Sequence, residues 1–67
     1  MIKNDTELEV SLKRIERLQL QVAQLRRTET NPANYRASVS GYVSEIDRLQ
    51  LEVREYLMQF PEIVAVV

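Results

Sequence analysis

Glu45, Asp47, Glu52 and Glu55 place four carboxylates in one short stretch of the chain. Carboxylates grouped in this way are raw material for acid–base catalysis or for holding a metal. The residues that usually complete such sites are missing, because the sequence has no His and no Cys. That removes the commonest general base near neutral pH and the commonest metal ligand. It also removes thiolate zinc binding. Neither a Glu-x-x-His pair nor a glycine-rich phosphate loop is present. The carboxylates read as exposed helix charges. The expectation is a protein that is not an enzyme, with no catalytic residues, no cofactor and no metal.

The cations lead to a similar reading. Lys13, Arg14, Arg17, Arg26 and Arg27 make the first half locally basic, but Glu9 and Glu16 lie among them. Glu9 and Lys13 have the i,i+4 spacing of an ordinary pair on a helix surface. With 9 Lys+Arg against 10 Asp+Glu, the net charge is −1. A nucleic-acid binder normally carries a basic excess, so nucleic acid is not an expected partner.

The elements that carry these charges follow from pattern. Leu8, Leu12, Ile15, Leu18, Val22 and Leu25 recur at steps of three and four, which puts them on one helical face. Thr6 with Glu9, or equally Asn4 with Glu7, has capping-box spacing at the start. Arg26 and Arg27 suit the carboxyl end, where the helix dipole favours cations. The expected first helix covers about residues 5–29. Asn31-Pro32 then starts a second helix: Asn caps free N–H groups, and Pro has its φ already set. Tyr35, Val39, Tyr42, Ile46, Leu49, Val53, Tyr56 and Phe60 form an unbroken heptad seam. Pro61 ends it, so the second helix is expected over about 32–60. A short connection makes the two helices antiparallel neighbours. The fold class expected is all-α: an antiparallel hairpin of two long helices at residues 1–61, followed by an apolar tail at 62–67. The two helices share the pattern Ile-acid-Arg-Leu-Gln-Leu-x-Val at 15–22 and 46–53. Convergence on good helix formers accounts for this better than duplication does.

A lone hairpin of this size is hard to stabilise. Small chains usually need disulfides, a metal or a second subunit. Composition leaves only the third, and the expectation is a homodimeric four-helix bundle or coiled coil. Its interface is assigned to Leu18, Val22 and Leu25 of the first helix. From the second it takes Tyr35, Val39, Tyr42, Val43, Ile46, Leu49, Val53, Tyr56, Leu57 and Phe60. Val43 and Leu57 lie beside the seam and widen it toward a second contact. The three tyrosines fit core packing, with each hydroxyl at the bundle edge, better than an aromatic binding stripe. Gly41, amid Ala37 and Ser44, disfavours the helix by about 1 kcal/mol relative to Ala. It marks either a close approach by a partner or a tolerated solvent face. Leu20 and Leu51 lie off the seams and join Gly41 as candidate partner contacts. So do Ile63, Val64 and Val66 of the tail, whose β-branched run suits an extended docking strand. The longest unbroken apolar run, Ile63 to Val67, is far below the roughly 20 residues of a membrane span. The N-terminus shows no apolar signal segment. Together these suggest a cytoplasmic protein with no membrane partner.

Met1-Ile2-Lys3-Asn4, Thr6-Glu7-Leu8 and Leu12 to Leu18 resemble the N-terminal helical segment of antitoxin-type regulators of the Xre helix-turn-helix class. Glu52 to Leu57 is similar to the end of that segment. The resemblance implies a helical hairpin that oligomerises and binds a second small protein, a toxin or regulator. In that class a DNA-binding domain follows the hairpin. No counterpart is expected within these 67 residues, so DNA binding is not carried over.

Overall fold

The computed structural model describes residues 1–61; the tail readings at Ile63, Val64 and Val66 lie outside the described residues. Two helices, α1 (Asp5–Thr28) and α2 (Pro32–Leu57), pack against each other as a hairpin. The chain is all-α, with no strand among the described residues. No helix there is long and apolar enough to cross a membrane.

The ends are set by local hydrogen bonding. Asn4 is the cap of α1: its side chain accepts from the Glu7 N–H at 2.8 Å. The Glu7 carboxylate accepts in return from the Lys3 N–H at 2.8 Å. Of the two capping pairs with the right spacing, Asn4 and Glu7 is therefore the one formed. At the other end the Glu29 N–H donates to Leu25 O at 2.9 Å, and Glu29 is already extended. Its carboxylate accepts from the Asn31 N–H at 3.2 Å, which stiffens the connection. Asn31 caps α2 by accepting from Ala33 N–H at 2.9 Å and Asn34 N–H at 3.2 Å.

The second helix stops at Leu57, short of the expected Phe60. The residue before a proline is sterically pushed out of helical conformation, so Pro61 acts on the chain ahead of it. Met58 closes the helix with its N–H on Arg54 O at 3.0 Å. Phe60 consequently leaves the seam and is 88% exposed.

Among the described residues, four apolar ones form the buried core: Ile2, Ile15, Leu49 and Val53. Leu8, Leu18, Ile46 and Tyr56 pack against it, partly buried. Seam positions Leu49 and Val53 are thus covered within one chain. The seam residues nearer the loop, Val22, Leu25, Tyr35, Val39 and Tyr42, are only half-buried. Ile2 was not among the expected core positions, yet it is 7% exposed. The segment ahead of the Asn4 cap folds back and lays this side chain into the core.

Candidate partner interface

The helices leave two long edges, and the two differ in chemistry. One is bound by charge. Arg14 of α1 reaches Glu45 of α2 at 3.3 Å. Arg48 grips the same carboxylate through Nε at 3.2 Å and Nη2 at 2.6 Å. Its Nη1 donates to Glu52 at 2.9 Å. The Met1 amine lies 3.6 Å from the other Glu52 oxygen. The hydrogen bonds from Arg48 hold the Glu45 carboxyl below its ordinary range, aided by the charges of Arg48 and Arg14 and partly offset by lost hydration. The same bonds raise the Arg48 guanidinium above its usual range. The network is exposed to solvent, so water and salt screen it and it adds little to stability. It does fix which charges face one another.

The opposite edge is an open groove of ≈ 500 Å³. Ile15 and Val53 form its floor, so the groove reaches the core. Leu12 stands on the α1 side and is 47% exposed; Leu57 stands on the α2 side and is 62% exposed. Met58 closes one end. Gln19 and Gln50 lie along the rim, with Glu16 and Arg54. Val43, Gln50 and Leu57 repeat at heptad spacing and so share one stripe of α2. Every ion pair among the described residues lies off this edge, and neither Glu16 nor Arg54 takes part in one.

The other expected contacts scatter. Leu20 and Leu51 are exposed but do not line the groove. Gly41 has an ordinary helical backbone, and a Cβ built there would meet nothing within 4 Å. No approach within the hairpin requires a glycine at that position. The small-residue patch around it, including Ala37 and Ser44, faces solvent. Tyrosine hydroxyls do sit at the edges: Tyr35 accepts from Arg26 at 3.2 Å, and Tyr56 donates to Asp5 at 2.6 Å. Among the described residues, no cluster of three or more carboxylates could hold a metal ion.

No protein-family model, curated protein or solved structure matches this chain. The groove between Leu12 and Leu57 was only half legible in the sequence. Leu57, which is exposed and borders the groove, is marked by its place beside the seam. Leu12 was counted with the α1 seam, and nothing in the spacing alone says that it borders an open edge.

Proposed function

We propose that this chain is a non-enzymatic protein–protein interaction module that self-associates as a dimeric four-helix bundle. The observation that supports it is the imbalance of apolar surface. Among the described residues only four hydrophobic ones are buried, whereas Val10, Leu12, Leu20, Val43, Leu51, Leu57, Met58 and Phe60 are exposed. Isolated exposed apolar residues are ordinary on any protein. Here several of them frame one groove that opens onto the core, which is the mark of an association surface. Joining two hairpins would cover that surface in the way bundles of this size are normally completed. The resemblance to the helical segment of antitoxin-type regulators supports a second role on the same scaffold: binding another small protein.

Thermal unfolding followed by circular dichroism at increasing protein concentration tests the reading. Association couples stability to mass action, so the melting temperature should rise with concentration. A melting temperature that stays fixed at all concentrations overturns it.

A further inference from the structure

We infer that the two copies lie side by side in opposite directions, so that the basic loop end of each hairpin docks against the acidic open end of the other. The inference rests on the self-association reading above and gives it an orientation.

The charges of the hairpin are sorted along its length. Three contacts between the helices mark its levels: Tyr56 on Asp5 at the open end, Arg14 on Glu45 at mid-length, and Arg26 on Tyr35 near the loop. The loop portion, residues 18–42, holds Arg26, Arg27 and Arg36 against one acid, Glu29. The middle, 13–17 with 43–47, holds three bases and three acids. The open end, 1–12 with 48–61, holds Asp5, Glu7, Glu9, Glu52 and Glu55 against three bases. The Met1 amine beside Glu52 offsets one of these acids, and the end remains negative.

The charges at the two ends are also free to meet a partner. The three loop arginines are exposed and take part in none of the ion pairs among the described residues. Arg26 and Arg36 border one cleft, and the Glu29 carboxylate beside them already accepts from the Asn31 N–H at 3.2 Å. Glu9 and Glu55 are likewise exposed and outside those pairs. At 1.5 Å per residue, α1 holds the two ends about 36 Å apart. That is several Debye lengths at physiological salt, so each end is matched locally and not by the net charge of the chain. Two copies running the same way would gather six arginines against two glutamates at the loops. Juxtaposed like charges of this kind reject a pairing. Opposite directions replace both repulsive ends with attractive ones, related by a two-fold axis that closes the dimer. End-to-end stacking would match the same charges but leave the long apolar edges wet and the series open.

Two charge-reversed chains, read by sedimentation equilibrium, test this: Arg26→Glu/Arg36→Glu at the loop and Glu9→Lys/Glu55→Lys at the open end. Each alone should dimerise roughly tenfold or more weakly than the parent, because both end contacts become repulsive. An equimolar mixture should return to within about threefold of the parent, since the reversed loop of one chain meets the reversed open end of the other. Recovery on mixing cannot come from misfolded chains. A spin label on Asn34→Cys, the sole cysteine of that variant, reads the orientation directly. The distance between the two labels should be roughly 35 Å or more. A distance below roughly 25 Å, about two helix diameters, means that the copies run the same way and overturns the inference. Reversed chains that dimerise as tightly as the parent, or a mixture that does not recover, overturn the pairing of the two ends. A mass that grows past two chains overturns the closed arrangement. A parent that is monomeric at every concentration overturns the self-association reading itself.

Discussion

The Tyr56 hydroxyl donates a hydrogen bond to the Asp5 carboxylate at 2.6 Å, joining the last turn of α2 to the first residue of α1. It is the polar closure of the open end of the hairpin, beside the core formed by Ile2 and Val53. Donation to Asp5 raises the Tyr56 pKa above the ordinary 10.0, with lost hydration and the charges of Asp5 and Glu7 acting in the same direction. The folded state therefore holds this proton more tightly than the unfolded chain does. The contribution to stability is fully present below the ordinary tyrosine range and is lost as pH rises through the elevated value. Spectroscopic titration of the tyrosines should show one group titrating late. Asp5→Asn should bring that group back toward the ordinary range. A late group that persists in Asp5→Asn would break the assignment.

Leu49 is 5% exposed and lies at the centre of the core. Leu49→Ala should cost about 2–5 kcal/mol, from lost transfer energy and the cavity left behind. Gln21→Ala, on an exposed position of α1, should change stability by less than about 0.5 kcal/mol. Denaturant unfolding of the two variants makes the comparison. Equal effects would mean that the seam is misassigned.

Ile2 supplies one of the four core side chains from outside either helix. Ile2→Ala should destabilise by about 2–4 kcal/mol, while Lys3→Ala should do much less. Chemical denaturation measures both. An Ile2→Ala variant as stable as the parent would show that the N-terminal segment does not belong to the core.

Gly41→Ala should stabilise the hairpin by about 0.5–1 kcal/mol, because alanine loses less backbone freedom in a helix and the site is open. Helicity and thermal midpoint report the change. A loss of stability that appears only at concentrations where the protein associates would mean that a partner approaches this face closely.

The helices themselves were readable because their signals are local. Asn31-Pro32 fixes the start of α2 by capping chemistry, and the seam through Leu49 and Val53 follows from spacing alone. Phe60 misled because it continues the heptad, while Pro61 acts against the helical backbone ahead of it. Ile2 was missed for a different reason. The usual staple places an apolar residue immediately before the cap to pack on the fourth helical residue. Here that position is Lys3, and Ile2, one step further out, joins the core against which Leu8 packs. The candidate site was the least legible part. Whether Leu12 faces an open groove, and whether Glu45 meets Arg14, depends on how the two helices cross. That is a tertiary property which the spacing within either helix does not contain.

The central claim is that the hairpin completes itself by association, and sedimentation equilibrium of the parent chain across a wide concentration range tests it most directly. The account predicts a mass of two chains at high concentration, falling toward one on dilution. A mass of one chain at every concentration, with full helicity retained, would contradict it.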